Sequence, residues 1–276
     1  MKLRVYNLIT ISVLIVLTTI YGCKKKDTTE ISIQGSTTVL PIVQRVAEVY
    51  MSKNPDVSLS VSGGGSGVGI TALLDGTTDI AMASRQMKDK EKATANKKGM
   101  KIKEVEIAMD GIAVIVHPSN SISEMTIDDI KSIYMEGGVS NWSKFGGEDK
   151  DIVVVSRDTA SGTFEVFEKK VLGGEKVRAD ALLQASNVAV KNAVAGSEGA
   201  IGYMGIGYLG DEVKALLVNG VEPTEANVLS GEYPIARKLY LYIRGDASDD
   251  INAFVNFVLS EYGQRIVEEV GYIPLK

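Results

Sequence analysis

The sequence predicts an α/β fold of two lobes. Short apolar runs alternate with amphipathic segments along the chain, which is typical of strand–helix units built on mostly parallel sheets. The pattern changes around residues 109–120, "MDGIAVIVHPSN", where a second set of units begins. The late strand "KLYLYIRG" is followed by two helices that have no nearby unit to pack on. We therefore expect the chain to cross to a second lobe and return, which assigns residues 31–109 and 238–276 to the first lobe and residues 110–237 to the second.

Strands are predicted where β-branched and apolar residues cluster or alternate. These segments are "ISIQ" (31–34), "VSLSVS" (57–62), "DIAMAS" (79–84), "IAVIVH" (112–117), "DIVVVSR" (151–157) and "KLYLYIR" (238–244). Apolar residues three and four apart predict the first helix, with Pro41 in its first turn. Further helices are predicted at 69–76, 127–134, 163–171, 187–195, 250–259 and 263–270, and the polar stretch 88–99 is interpreted as a solvated helix.

The composition is that of a globular protein with a sizeable core. The 276 residues are 45% hydrophobic and 24% charged, with a formal net charge of -5. A nucleic-acid-binding protein normally carries a basic face, so this class is disfavoured. A small anion remains a possible ligand, because backbone N–H groups bind anions without a net positive charge.

The first residues predict an export signal. Lys2 and Arg4 precede the apolar run 8–20, which is too short for a comfortable membrane span. Cys23 is the only cysteine, so no intramolecular disulfide forms, and "IYGC" resembles a lipobox although Tyr21 is bulkier than usual. We predict that residues 1–22 are a signal peptide and that Cys23 is lipidated, for example with palmitate. Residues 23–30 would then tether the protein to the cell membrane, in the periplasm or on the outer surface. The alternative is an incidental cysteine in an uncleaved anchor.

Three turns share one pattern, in which a strand ends in hydroxyls or glycine where a helix begins. Helix N-termini present unpaired N–H groups, and hydroxyls add donors, so three such ends facing one point would form a cage for a tetrahedral oxyanion. An arginine in the third turn adds a planar fork suited to phosphate. The alternative is that each Ser or Thr only caps its helix. The candidate residues are Ser36, Thr37 and Thr38 in "GSTTVLP", Ser66 and Gly67 in "GGGSGVG", and Arg157, Ser161, Gly162 and Thr163 in "SRDTASGTF".

Other chemistries find little support. A phosphate-binding loop of the GxxxxGK[ST] type is absent, which disfavours nucleotide binding. The hydrolase pattern GxSxG is not met around Ser66, because Val68 occupies the place of the second glycine. The single histidine, His117, precedes Pro118 at a strand end, and with one cysteine it gives no usual metal site. We therefore expect no enzyme activity, no metal and no cofactor.

The chain resembles the phosphate-binding proteins of bacterial phosphate ABC transporters, the PstS family. The resemblance covers residues 31–276 through the ordered pieces "GSTTVLP", "GGGSGVG", "DIAMASR", "DGIAVIVHP", "NW", "SRDTASGTF", "GAIGYMGIGYL" and "VLSEYGQRIVEEVGYIPL". It implies a periplasmic-binding-protein fold, type II-like, with the ligand in a cleft between two lobes joined by two crossing segments. It also implies that Thr37, Thr38, Ser66, Arg157, Ser161, Gly162 and Thr163 bind phosphate.

The chain departs from the family pattern at the acidic positions. Some members have an aspartate two residues after the arginine, where this chain has Thr159, and another after the third strand, where it has Ser84 and Arg85. An acceptor matters because phosphate carries a proton that sulfate lacks. Asp110 is our first candidate for the acceptor, and a structural role in the turn "MDG" is equally open. Arg85 either contacts the ligand or pairs with an acid at the cleft rim.

The resemblance implies a function in transport. The leading hypothesis is a monomeric, membrane-tethered receptor that delivers inorganic phosphate to ABC transporter permease subunits. The alternatives are a receptor for sulfate, molybdate or another oxyanion, a phosphate-sensing surface lipoprotein or adhesin, and, from another class, a hydrolase.

Overall fold

The computed structural model describes residues 28–275, so the predicted signal peptide and Cys23 lie outside the described residues. The strands are β1 Thr29–Gly35, β2 Val57–Ser62, β3 Ile80–Ala83, β4 Ile102–Val116, β5 Glu124–Met125, β6 Val153–Arg157, β7 Leu182–Gln184, β8 Ala200–Gly205, β9 Lys214–Ala215, β10 Leu217–Val218 and β11 Ala236–Arg244. The helices are α1 Leu40–Lys53, α2 Ser66–Asp75, α3 Asp89–Lys97, α4 Ile127–Tyr134, α5 Gly162–Lys170, α6 Asn187–Ala195, α7 Glu225–Ser230, α8 Asp249–Leu259 and α9 Glu261–Glu269. Short 3₁₀ turns cover Trp142–Phe145 and Ile206–Tyr208.

The main sheet runs through both lobes in the order β2-β1-β3-β11-β4-β8-β6-β7, with β9 beside β4. Strand β1 pairs in parallel with β2 and β3, and β6 pairs in parallel with β7 and β8. Strand β11 is antiparallel to β3 and β4, and β4 is antiparallel to β8. Parallel pairs thus occur in both lobes as expected, and each of these antiparallel pairs involves one of the two crossing strands, β4 or β11.

The long strand β4 joins the lobes. Its first part, up to Gly111, pairs with β11, and its last part, from Ile112 to Val116, pairs with β8. Strand β11 pairs with β4 along the same crossing, with a register shift at Leu239/Tyr240. Both crossing segments are thus neighbouring strands of one sheet. A charged residue at the centre of either strand is placed between the two lobes.

Two large hydrophobic cores lie on either side of this crossing. The first packs α1, α8 and α9 on the β1–β3–β11 sheet and includes Val43, Val46, Ile107, Leu241 and Phe254. The second packs α4 and α5 on the sheet around β6 and β8 and includes Ile130, Tyr134, Trp142, Phe167 and Tyr203. The two cores confirm the two-lobed α/β class predicted from the sequence.

Local sequence signals account for most element boundaries. Pro41 lies in the first turn of α1, and Ser161 accepts hydrogen bonds from the N–H groups of Thr163 and Phe164 at the start of α5. The first half of β4 was missed because Lys103, Glu104 and Glu106 interrupt its apolar pattern.

None of the helices found between residues 28 and 275 combines the length and the apolar character that a bilayer crossing needs.

Candidate functional site

The three predicted turns meet at one place, where the two lobes face each other. Thr38, before α1, lies with its Oγ1 3.1 Å from Oγ1 of Thr163, in the first turn of α5. The N–H of Gly67, in the first turn of α2, donates to the carbonyl of Ala160 at 3.0 Å. The N-terminal ends of α1, α2 and α5 are thereby brought to the same cleft. This convergence is the arrangement that the sequence pattern predicted.

The first turn divides its hydroxyls between its own backbone and the cleft. Ser36 Oγ accepts from the N–H groups of Thr38 and Val39 at 3.2 and 3.4 Å, so it binds the backbone of the turn that leads into α1, whose N-cap residue is Val39. Gly35, the last residue of β1, has φ +144°, and a Cβ there would lie 2.2 Å from the Met82 carbonyl. Thr37 and Thr38 are buried, and their hydroxyls instead contact residues of the second lobe.

The glycine-rich second turn uses bare backbone for close approach. Gly65 has φ +100°, and a Cβ on it would lie 2.6 Å from the Ala160 carbonyl of the other lobe. Gly69, inside α2, packs so closely on β1 that a Cβ would lie 2.3 Å from the Gln34 carbonyl. Ser66 is fully buried, and its Oγ accepts from the Ser84 N–H at 3.0 Å. The glycines therefore let α2 start against β1 and against the facing lobe, with the Ser66 hydroxyl at the turn.

Arg157 ends β6 and is the main cation of the third turn. It is 1% exposed, and its Nε and Nη2 donate to the carbonyls of Gln184 and Ala185 at 3.0 Å each. Its Nη2 also donates to Thr37 Oγ1 at 3.2 Å, across the cleft. Burial lowers the pKa of Arg157 from its usual value. The carbonyls fix the plane of the guanidinium and turn one edge toward the first lobe.

Gly162 makes the closest approach of the third turn to the first lobe. An added Cβ would lie 2.4 Å from Ser66 Oγ and 2.7 Å from Ser84 Oγ. Ser161 is buried, and its Oγ caps α5. Only glycine therefore fits between the serine hydroxyls of the facing lobe as the two lobes lie here.

Three further residues, which the sequence pattern does not predict, join the cluster in the structure. Asn187, the first residue of α6, donates through Nδ2 to Thr38 Oγ1 at 3.1 Å. Tyr208 donates its hydroxyl to the Thr37 carbonyl at 2.5 Å, and burial raises the pKa of Tyr208 to about 12, which keeps it a donor at neutral pH. Arg237, in β11, donates through Nη1 to Thr163 Oγ1 at 2.9 Å and through Nη2 to Thr38 Oγ1 at 3.2 Å.

No local signal in the sequence marks these residues. Arg237 lies in a strand pattern with no glycine or hydroxyl turn beside it. The available hint was an arginine directly before the predicted strand 238–244, since a charge that β11 buries needs a partner.

Asp110 is the partner of Arg237. It is fully buried in β4; its Oδ2 lies 2.8 Å from Arg237 Nε and 2.7 Å from Nη2, and its Oδ1 accepts from the Ile206 N–H at 3.1 Å. Burial raises the pKa of Asp110, and the Arg237 charge and the hydrogen bonds offset part of that rise. These bonds support the structural alternative for Asp110. Its role as acceptor of a ligand proton stays a prediction.

Ser84 and Arg85, after β3, have different surroundings. Ser84 is buried with its Oγ 3.3 Å from Ser66 Oγ. Arg85 donates through Nη1 and Nη2 to the two carboxylate oxygens of Glu91 at 2.8 Å each, and its Nε lies 2.8 Å from Glu165 Oε2. This geometry favours the second alternative for Arg85, which was pairing with an acid at the cleft rim.

The cluster is suited to a small oxyanion. The buried charges of the cluster are the two positive ones of Arg157 and Arg237 and the negative one of Asp110, which leaves one net positive charge. The N-terminal ends of α1, α2 and α5 add partial positive charge. The neighbouring hydroxyls are those of Thr37, Thr38, Ser66 and Thr163. Across residues 28–275, no group of three or more His, Cys, Asp or Glu side chains lies together as a possible metal site. The arrangement can bind and enclose an anion.

Comparisons with known proteins agree with the fold. Residues 24–262 match the model of the PBP superfamily domain. The chain is 34% identical over 254 residues to the phosphate-binding protein PstS of Bacillus subtilis, which covers 91% of this chain and 83% of that protein. It is 32% identical over 261 residues to protein SphX of Synechococcus elongatus, and the match covers 89% of this chain and 77% of that protein.

Two solved structures resemble the whole described fold. A substrate-binding protein from Clostridium perfringens, solved with bound phosphate, superposes with a TM-score of 0.84 at 38% identity, covering 90% of this chain and 100% of that chain. An ABC-type phosphate transport receptor from Vibrio cholerae superposes with a TM-score of 0.73 at 32% identity, covering 89% of this chain and 100% of that chain. The chain therefore belongs to the PBP superfamily and, within it, to the family of PstS phosphate-binding proteins.

Proposed function

We propose that this protein is an extracytoplasmic receptor that binds inorganic phosphate and delivers it to the permease of an ABC transporter. One observation carries the proposal: the hydroxyls of Thr38 and Thr163, one from each lobe, lie within hydrogen-bonding distance of each other beside the buried Arg237. In addition, Arg157 of the second lobe donates a hydrogen bond to the Thr37 hydroxyl of the first. Groups from two lobes that meet at one point enclose a ligand when the lobes close. The names of the relatives support phosphate as the ligand.

The proposed ligand groups are those that the sequence pattern and the family resemblance selected, with Arg237 added and Arg85 left out because it pairs with Glu91 and Glu165. Thr37, Thr38, Ser66, Arg157, Ser161, Gly162 and Thr163 form the main set, and Ser36, Gly67, Ser84 and Asp110 the secondary one. Arg157 supplies the charged fork, and the hydroxyls and helix ends supply neutral donors. We keep the lobe boundaries at residues 110 and 237 as part of the proposal, which the position of Asp110 and Arg237 in the crossing strands supports.

The direct test is a calorimetric titration of residues 24–276 with phosphate, with sulfate as competitor. Saturable phosphate binding that excess sulfate leaves unchanged is the expected result. Equal binding of sulfate would show that the receptor is not selective for phosphate and would favour another oxyanion as its ligand. Absence of phosphate binding would overturn the proposal. Sulfate binding gained by Asp110→Asn would identify Asp110 as the acceptor of the ligand's proton.

We further propose that the receptor is monomeric, does not catalyse a reaction and is anchored through a lipid on Cys23. Labelling of the full chain with a radioactive fatty acid, compared with Cys23→Ala, tests the anchor. Absence of label on the wild-type protein would contradict it. Incubation with a phosphate ester tests the hydrolase alternative, and any turnover that Ser66→Ala removes would favour an enzyme.

A further inference from the structure

We propose that Glu165 locks the two lobes together through ion pairs with Arg85 and Lys88, and that this lock sets how slowly a bound anion leaves. The inference rests on the proposed function for the identity of the anion. It concerns a group outside the proposed ligand set, at the mouth of the cleft. Arg85 and Lys88 follow β3 in the first lobe, and Glu165 lies in α5 in the second.

The first-lobe side of the lock is held in position independently of the second lobe. Both terminal nitrogens of Arg85 donate to Glu91, and Nη1 also donates to the Gln86 carbonyl at 2.8 Å. Glu91 itself accepts from the Lys88 N–H at 2.8 Å, at the start of α3. Because these bonds lie within one lobe, the Arg85 guanidinium is pre-ordered. Its remaining nitrogen, Nε, is the one that faces Glu165.

The second-lobe side is a single carboxylate with a positive charge near each oxygen, although neither Arg85 Nε nor Glu165 Oε1 makes a hydrogen bond as the side chains lie. Glu165 Oε2 lies 2.8 Å from Arg85 Nε, and Oε1 lies 2.9 Å from Lys88 Nζ. The Arg85 and Glu165 side chains are only 6% and 15% exposed, whereas Lys88 is 44% exposed. Water and salt therefore screen the Arg85 pair less than the Lys88 pair, and the Arg85 pair supplies most of the lock.

Arg85 and Glu165 of the lock lie within two residues of proposed ligand groups along the chain. Glu165 follows Thr163 by two residues in the first turn of α5, and Arg85 follows Ser84, whose N–H bonds Ser66. Bringing Gly162 against Ser66 thus also brings Glu165 against Arg85. The ion pairs add to the closed arrangement without touching the anion, so Glu165 is a positioning residue for the loop that begins α5.

The lock also divides the mouth of the cleft. Arg85, Lys88 and Glu165 line two neighbouring surface grooves, one of about 670 Å³ beside α2 and one of about 620 Å³ that reaches Arg237. The bridge between the lobes is the common wall of both grooves. Breaking it would join the two grooves.

The first test measures dissociation of radiolabelled phosphate from residues 24–276 after a chase with unlabelled phosphate. Glu165→Gln keeps the shape and removes the charge. We expect the dissociation rate to rise roughly tenfold, which corresponds to about 1.4 kcal/mol, with an association rate within about twofold of wild type. Glu175→Gln, at an exposed glutamate just beyond α5, is the matched control and should leave both rates unchanged. An unchanged dissociation rate in Glu165→Gln would overturn the lock.

Two further measurements separate the lock from general destabilisation and from the proposed function. Lys88→Met combined with Glu165→Gln should raise the dissociation rate by less than the product of the single effects, because both remove one interaction. If the double variant raised the dissociation rate by the full product of the single effects, Lys88 would not be part of the lock. If the wild-type protein bound no phosphate, the proposed function would fail, and the lock would be judged by small-angle X-ray scattering. A larger radius of gyration in Glu165→Gln than in wild type would then support the lock, and equal radii would overturn it.

Discussion

The hydroxyl oxygens of Thr38 and Thr163 lie 3.1 Å apart although 125 residues separate them in the chain. Arg237 donates to both, and Asp110 holds Arg237 from the neighbouring strand. The two helix ends that form the proposed anion cage are thus joined through an ion pair between the crossing strands. The geometry of the cage and the relative position of the lobes are therefore coupled.

Arg157→Lys should weaken phosphate binding roughly 100-fold, because an ammonium cannot reproduce the planar fork that spans the Gln184 and Ala185 carbonyls and Thr37. Calorimetry on residues 24–276 measures the change in Kd. Arg244→Lys, at an exposed pair with Asp246, is the control and should leave Kd unchanged. A loss of less than threefold in Arg157→Lys would remove Arg157 from the ligand site.

Gly162→Ala should weaken phosphate binding roughly tenfold or more without lowering stability. The new methyl group would meet Ser66 Oγ and Ser84 Oγ of the other lobe, so it opposes closure, whereas alanine favours the helix that begins there. Titration and thermal unfolding check the two parts. Gly67→Ala is the comparison, because its Cβ would find no neighbour closer than 3.5 Å, and its loss should be smaller. Equal affinities in wild type and Gly162→Ala would show that Gly162 does not approach Ser66 in the bound state.

Arg237→Met should destabilise the protein by about 3–5 kcal/mol, because it leaves the fully buried Asp110 carboxylate without its partner. Asp110→Asn should cost less, because burial already favours the neutral form of this carboxyl, and the double variant should cost less than the sum of the two. Urea unfolding measures the three free energies. Lys238→Met, at a half-exposed pair with Glu106, should cost less than about 1 kcal/mol. Strict additivity of the Asp110 and Arg237 changes would argue against a coupled pair.

The contribution of Asp110 to stability should decrease as the pH rises. Burial raises the pKa of this carboxyl in the folded state, and Arg237 offsets only part of the rise. A carboxyl with a raised folded pKa takes up protons on folding, so its contribution is full below the unfolded pKa and is lost as the pH passes the folded pKa. We expect the unfolding free energy of wild type minus that of Asp110→Asn to fall as the pH rises above about 4. A difference that grows with pH would mean that Arg237 dominates and depresses the pKa.

Much of the fold and part of the cleft could be predicted from the sequence. Helices α4 and α6 begin and end at the predicted residues, because apolar spacing and the Thr126 and Ser186 caps are local signals. The turns at Thr38, Ser66 and Thr163 were found for the same reason. Strand β8, "AIGYMG", was missed because its glycines weaken the strand pattern, and it forms only through pairing with β4 and β6.

Caps, glycine turns and apolar periodicity act within a few residues, so the two-lobed α/β class and the three helix starts at the cleft could be predicted from the sequence. The electrostatics of the cleft depend on long-range contacts that exist only in the folded chain. The register between β4 and β11 places Arg237 opposite Asp110, 127 residues away. The approach of α5 to the segment after β3 places Glu165 beside Arg85, whose terminal nitrogens already bind Glu91 within the same lobe. Such partners follow from long-range packing, because a buried charge takes the nearest opposite charge that the folded backbone brings to it.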